Sequence, residues 1–417
     1  MSIKKPASLL EKPIACTATK KSRIIQVSDF SPPYFGGMES HAAEFFRHFA
    51  ANGRLARSLV MFPSAGASLE GAQSVQPFLG HPRVSQIFSE SIHKPEQLML
   101  PVRNYLELGS ILFFNSMYWV RCFEGIKKQY PSARILMRSG GNDIMQSNIF
   151  GKGGNVFERQ RYAVEQINAH SDALIVNSNY SMARFEALGM FPGKMRVVSG
   201  GVDTARFNPP GGTQSKDWLR ASLGLPMDSP IFFSAVRLVP FKSVSSTIEA
   251  FGIFASEFGK KAFLVIAGSG IELEKLQEKA KALPANAVVI FIPPVPPSQI
   301  HLHFMASDVY VQTPVYSIEN TGSGYYVHTE TMGRSFCEAA SCGVPSVSFN
   351  SGGVSEIILH GKTGFVSGHD TGEFAGYMAA SLERRNELSK NAREYALSTM
   401  SWGSVFSKYE AIFDGLQ

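Results

Sequence analysis

Short apolar runs alternate with segments of helical period from residue 23 onward. The runs at 23–27, 59–62, 111–114, 135–137, 173–176 and 196–199 are rich in β-branched or aromatic residues, as strands buried on both faces are. Between most of them lie amphipathic stretches at 39–51, 117–130, 157–170 and 181–188. Alternation of this kind predicts a parallel sheet with helices on both faces. The rhythm restarts with strands at 231–235, 263–267, 288–292, 309–312 and 346–349, and with helices at 245–258, 271–283, 298–306 and 334–341.

The stretch Asn208-Pro-Pro-Gly-Gly-Thr-Gln-Ser215 has the composition of a linker. The expected organisation is therefore a basic solvated tail over 1–22, one doubly wound domain over 23–209 and a second over 210–398. A helix over 399–417, apolar at Trp402, Val405, Phe406, Tyr409 and Phe413, packs across the domain joint. Two such domains facing each other create a cleft, and open α/β sheets bind ligands beyond the carboxyl ends of their strands.

A length of 417 residues fits two cores better than one. A hydrophobic fraction of 44% with 18% charged residues describes packed domains and excludes a disordered polyelectrolyte. The four cysteines, Cys16, Cys122, Cys337 and Cys342, are too few and too scattered for a disulfide scaffold or a four-thiolate zinc site, which points to a reducing compartment. The net charge of +6 is mild and the basic residues form no stripe, so nucleic-acid binding is not implied. No apolar run reaches the length of a membrane span.

The most informative stretch is Glu330-Thr-Met-Gly-Arg-Ser-Phe-Cys-Glu338. Gly333 loosens the turn into a helix, and Gly343 with Pro345 ends it. The start of that helix suits a phosphate, and its two carboxylates suit sugar hydroxyls; an N-terminal helix charge and a solvated glutamate are the plain alternative. Arg237 and Lys242 follow the strand at 231–235 and can turn toward one point, as a diphosphate requires; surface charges flanking a loop fit equally well. Gly36 and Gly37 join the first strand to the first helix, either to admit a ligand or to make a tight turn. Gly268-Ser-Gly270 lacks the third glycine of a dinucleotide fingerprint. No Asp-x-Asp, H-E-x-x-H or G-x-S-x-G occurs. Metal-held diphosphate, zinc protease and serine hydrolase readings fall away.

Taken in register, these segments resemble glycosyltransferase family 4, retaining enzymes of the GT-B architecture with two Rossmann-like domains facing a deep cleft. The resemblance covers about residues 23–417. It includes Ala173–Ser178, Met195–Asp203 with Phe207, Arg237-x4-Lys242, Ala267–Gly270, Glu330-x7-Glu338 and Ser351–Glu356. It implies a metal-independent transfer from a UDP- or GDP-linked sugar, with no cofactor, to a glycan or lipid-linked acceptor. The implied setting is surface polysaccharide or glycolipid assembly in the cytoplasm, with peripheral contact at the inner membrane face through Lys127, Lys128 and the N-terminal lysines. Arg237, Lys242 and Glu330 would carry catalysis. Gly36, Gly37, Gly268, Gly270, Phe291, Ile292, Gly333, Arg334, Ser335 and Glu338 would hold the donor, with the base near Phe291–Pro294. A His-Gly common on the acceptor side is replaced by Arg138-Ser-Gly-Gly-Asn-Asp143, so Arg138, Asn142 or Asp143 would act there. About a dozen extra residues over 315–328 suggest a mobile loop that shapes acceptor choice or closes the site. An epimerase or phosphorylase of the same fold, and a non-catalytic sugar-nucleotide binder, are the alternatives.

Overall fold

The computed structural model describes residues 23–30, 37–62, 76–88, 95–106, 110–141, 156–320 and 325–416. The first sheet comprises β1 (Ile24–Asp29), β2 (Leu55–Phe62), β3 (Val84–Phe88), β4 (Ile111–Phe114), β5 (Arg134–Arg138), β6 (Ala173–Val176) and β7 (Met195–Val197). The second chain half supplies β8 (Ile231–Ala235), β9 (Ala262–Ala267), β10 (Ala287–Ile292), β11 (Val309–Gln312), β12 (Ser317–Asn320), β13 (Tyr325–His328), β14 (Ser346–Phe349) and β15 (Gly364–Ser367). The strand orders are β3-β2-β1-β4-β5-β6-β7 and β10-β9-β8-β11-β14-β15, every pairing parallel. Strand order reverses at β1/β4 and again at β8/β11, which opens a crevice at the carboxyl ends there.

Each sheet is sandwiched because its strands are apolar on both faces. In β4 all four residues are buried. Leu112 and Phe114 enter one core with Phe123 and Ile126, while Ile111 and Phe113 enter another with Phe45 and Phe49. The second sheet splits likewise, Phe233 and Val265 to one side and Phe232 and Leu264 to the other.

After the second sheet the chain returns to the first domain. Val202 N–H donates to the Met400 carbonyl at 2.8 Å. The Trp402–Asp414 helix then lays Val405, Phe406, Tyr409 and Phe413 into the core that holds Phe45, Phe49 and Phe113. Arg54 pairs with Asp414 at 2.8 Å. Gly201 is needed where this helix begins, since a Cβ there would lie 2.2 Å from the Trp402 ring.

Several expectations change. The segment at 315–328 was expected to be a mobile loop, yet its ends pair as an antiparallel hairpin, Ser317 opposite His328 and Ile318 opposite Val327. His328 stacks on Phe241 at 4.5 Å, which anchors the hairpin to the loop after β8, and bonds Glu319 within the hairpin at 2.8 Å. Lys127 is unsuited to touch a membrane, because its ammonium is held by Asp172 at 2.9 Å and the Ala133 carbonyl at 2.7 Å. The tail over 1–22, with its lysines, lies outside the described residues. Among the described residues no helix is long and apolar enough to cross a membrane.

Candidate active site in the interdomain cleft

The loop after β8 runs beside the loop after β9. Val236 N–H donates to the Ala267 carbonyl at 3.0 Å and Leu238 N–H to the Ser269 carbonyl at 2.9 Å. A Cβ on Gly268 would lie 1.9 Å from the Val236 carbonyl oxygen, and one on Gly270 would lie 2.2 Å from that of Leu238. These glycines admit the neighbouring backbone, and neither borders the cavities described below. Their contribution is to seat the loop that carries Arg237.

Pro240–Lys242 form a single tight turn, and Ser243 then takes a left-handed conformation (φ 46°, ψ 42°) before the Val244–Phe258 helix begins. Thr313 Oγ donates to the Ser243 carbonyl at 2.6 Å and fixes this strained residue. The Phe241 ring lies 5.5 Å from the Arg237 guanidinium and 5.3 Å from the Lys242 ammonium. Lys242 forms an ion pair with Glu330, the two side chains only 13% and 16% exposed. Arg237 is exposed and has no carboxylate partner among the described residues.

Glu330 is held from behind. Gly353 N–H donates to its carbonyl at 2.9 Å, and a Cβ on Gly352 would lie 2.1 Å from that oxygen. Gly333 adopts φ 83°, a region that disfavours a side chain, and a Cβ there would meet the Phe336 ring at 2.4 Å. The Arg334–Ser341 helix starts at once, with no side chain capping it. Its positive end therefore faces the cleft uncompensated by a cap. Ser335 Oγ is used internally, accepting from Gln312 Nε2 at 3.2 Å. The helix ends as the sequence predicts, with Val344 N–H donating to Ala339 at 2.9 Å around Gly343 (φ 68°).

The Glu330–Gly333 loop meets the first domain across a cavity of about 480 Å³. Asp29, Asn115 and Arg138 line the facing wall, with Asn177 at its edge. Asn177 Nδ2 donates to the Gly140 carbonyl at 2.7 Å and to Thr331 Oγ1 at 3.1 Å, so one amide ties both domains to the loop. A Cβ on Gly37 would lie 3.2 Å from Arg334 Cδ, which brings the first-helix glycine against the second domain. Gly36, Asn142 and Asp143 lie outside the described residues. A smaller cavity of about 100 Å³ adjoins Arg334 and is bounded by Glu338, Arg206, Pro297 and Trp402. Burial raises the Glu338 carboxyl above the usual range, while Arg334 and Arg206 oppose that rise. Arg334 Nη2 stands 4.0 Å from the Glu338 carboxylate.

The structure thus places Glu330, Gly333 and Arg334 on the larger cavity, Lys242 beside it through Glu330, and Arg334 with Glu338 on the smaller one, while Arg237 borders neither. It does not bring Phe291 or Ile292 to either cavity. Phe291 packs with the helix-side core and Ile292 with the opposite one, while Pro297 borders the smaller cavity in their place. Asp29 and Asn115 went unread in the sequence, and Asn177 was read only as part of the Ala173–Ser178 motif, although each ends or directly follows a strand of the first sheet. That position is the signal that finds them. His41 was also missed. It is 1% exposed, its Nε2 lies 3.1 Å from the Tyr409 hydroxyl, and burial with Arg138 and Arg334 nearby holds its pKa well below the ordinary value.

Residues 215–399 match the family model for glycosyl transferases group 1. The GDP-mannose-dependent alpha-(1-6)-phosphatidylinositol monomannoside mannosyltransferase of Mycobacterium tuberculosis is 24% identical over 400 residues, 93% of this chain and 97% of that protein. D-inositol 3-phosphate glycosyltransferase 2 of Catenulispora acidiphila is 31% identical over 254 residues, 58% of this chain and 55% of that protein. Among solved structures, HepE of Anabaena in complex with UDP-glucose superposes with a TM-score of 0.70 at 17% identity, covering 94% of this chain and 99% of that one. Residues 215–399 thus match the group 1 glycosyltransferases, and the chain as a whole has the two-domain GT-B fold.

Proposed function

We propose that the protein transfers a sugar from a UDP- or GDP-linked donor to an acceptor hydroxyl, with retention at the anomeric carbon and no catalytic metal. The observation that carries this reading is the Lys242–Glu330 pair beside the uncapped start of the Arg334–Ser341 helix, with Arg237 on the same loop as Lys242 against the Phe241 ring. Breaking the sugar–phosphate bond builds charge on the departing diphosphate. Arg237, Lys242 and the helix end would stabilise that charge in place, without reorganisation. Glu330 already holds Lys242; a donor sugar hydroxyl would take its remaining acceptor capacity. Glu338 would accept from the ribose hydroxyls beside Pro297. Arg138 faces the acceptor.

The acceptor class proposed is a glycan or a lipid-linked sugar, at the inner face of the membrane by peripheral contact. The mycobacterial relative is named for transfer from GDP-mannose to a phosphatidylinositol mannoside, and HepE was solved with UDP-glucose, so both donor bases remain in the proposal.

The test incubates the full chain with UDP- and GDP-sugars and glycan or lipid-linked acceptors, with and without EDTA. Free nucleoside diphosphate and an α-glycoside from an α-linked donor are expected, at a rate EDTA leaves unchanged. An inverted anomer, loss of activity in EDTA, or epimerised donor without transfer would refute the corresponding part.

A further inference from the structure

We propose that Arg138 and Arg334, on facing walls of the cleft, form a two-guanidinium seat for an anionic group, phosphate or carboxylate, carried by the acceptor. This assignment rests on the transferase reading and adds the chemistry of the second substrate.

Arg138 ends β5 at the carboxyl edge of the first sheet and lines the larger cavity, yet its residue is only 6% exposed. A buried cation is costly unless it is paired. Among the described residues no carboxylate pairs with it. Its guanidinium donates to the Met38 sulfur at 2.9 Å, a weak acceptor, and to the Tyr409 phenol, which burial keeps neutral with its pKa pushed up to about 12. Neither partner carries a charge, so this cation on the cavity wall has no counter-ion among the described residues.

Arg334 approaches from the other domain. It is the first residue of its helix, lines the same cavity, and reaches its nearest carboxylate, Glu338, only at 4.0 Å. The acidic groups around the cavity are already occupied. Glu330 pairs with Lys242, Asp29 accepts from Trp119 Nε1 at 3.3 Å, and Glu39 has a partner of its own. Both guanidiniums bear on His41, whose imidazole is buried and neutral and so adds no charge to the seat. Planar guanidiniums favour oxyanions through paired N–H bonds, which a hydroxyl cannot reproduce. The donor diphosphate is assigned to Arg237 and Lys242 on the second domain, whereas Arg138 belongs to the first. An oxyanion bound there would touch both domains, so an anionic acceptor would complete the cleft as it binds.

Calorimetry on the full chain tests this, using inorganic phosphate, D-glucose 6-phosphate, D-glucuronate and D-glucose, each with and without saturating UDP or GDP. The proteins are the parent, R138Q, R138K and R334Q, with thermal melts to confirm folding. The parent should bind at least one of the phosphate or carboxylate probes well above glucose. R138Q and R334Q, altered on different domains, should each weaken that binding by about 10- to 100-fold, the range for a charge-assisted hydrogen bond. R138K should recover part of it. Equal affinity for charged and neutral probes, or anion binding that ignores both substitutions, overturns the proposal. A third arm compares UDP-glucuronate with UDP-glucose. If R138Q costs affinity only for the uronate donor, the anion belongs to the donor and the acceptor assignment fails. If neither nucleotide binds, the transferase reading fails instead, while the Arg138 dependence of phosphate binding still decides this one.

Discussion

Replacing Glu356 should loosen the two domains from each other. This side chain leaves the second domain and receives the N-terminus of the Asn179–Ala187 helix in the first. One carboxylate oxygen accepts from Asn179 N–H and from Asn179 Nδ2, both at 2.8 Å, and the other accepts from Tyr180 N–H at 2.9 Å. A hydrogen bond to a charged group contributes about 1.5–3 kcal/mol net, and a carboxylate at a helix N-terminus about 0.3–1 kcal/mol more. Glu356 is only partly buried, so water recovers much of the loss and the total for alanine is about 2 kcal/mol. That corresponds to about 30-fold in the balance between closed and open arrangements. Glutamine keeps one acceptor and should lose about half as much free energy. Small-angle scattering should show a larger radius of gyration for E356A than for the parent, with E356Q between. The value of kcat/KM should fall in the same order, because Asn177–Thr331 and the cavity walls depend on the same closure. Identical scattering curves and identical kcat/KM for all three proteins would refute the reasoning.

Other consequences follow from the same geometry. K242A should lower kcat by about 10²–10³-fold, as removal of one preorganised charge-stabilising donor does, with little change in acceptor KM. The Glu338 carboxyl is raised by burial, so only between the unfolded and the folded pKa does the folded protein keep a proton there that the unfolded chain has released. Stability from this group is greatest below the unfolded pKa and declines as pH rises toward the folded one. E338Q should therefore melt higher than the parent near neutral pH yet bind nucleoside diphosphate more weakly; a lower melting temperature with unchanged nucleotide affinity would contradict both halves. His41 carries the opposite sign. Its folded pKa is depressed, so stability should fall as pH drops below the unfolded value near 6.5, and H41Q should flatten that limb of a melting-temperature profile. F406A, at a residue 1% exposed against Phe45, Phe49 and His48, should cost about 3–5 kcal/mol by chemical denaturation.

The buried strands of both domains are legible because an apolar run of four to six residues between helical stretches has few other interpretations. β3 is not, since Val84–Phe88 is a half-exposed edge strand with Ser85 and Gln86 inside it, and no continuous apolar run marks it. The placement of Lys242, Glu330, Gly333 and Glu338 along the cleft follows from motif spacing, because each motif directly trails a strand. Gly268 and Gly270 show the limit of that reading. A glycine signals close approach but not by what, and here the neighbour is the Val236–Leu238 backbone. Phe291 and Ile292 pack against the cores on the two faces of β10, so neither side chain reaches the cavities described above. The ties between domains, from Glu356 to Asn179 and from Asn177 to Thr331, join residues far apart in the chain through no periodic pattern, so only the three-dimensional arrangement reveals them.

The central claim is that a sugar diphosphate lodges between Arg237, Lys242 and the opening turn of the Arg334–Ser341 helix. A crystal structure of the full chain grown with UDP-sugar or GDP-sugar tests it most directly. The account predicts phosphate density within hydrogen-bonding reach of both cations and the first helical N–H groups, with ribose against Glu338. Density for the nucleotide elsewhere, with this crevice vacant, would contradict it.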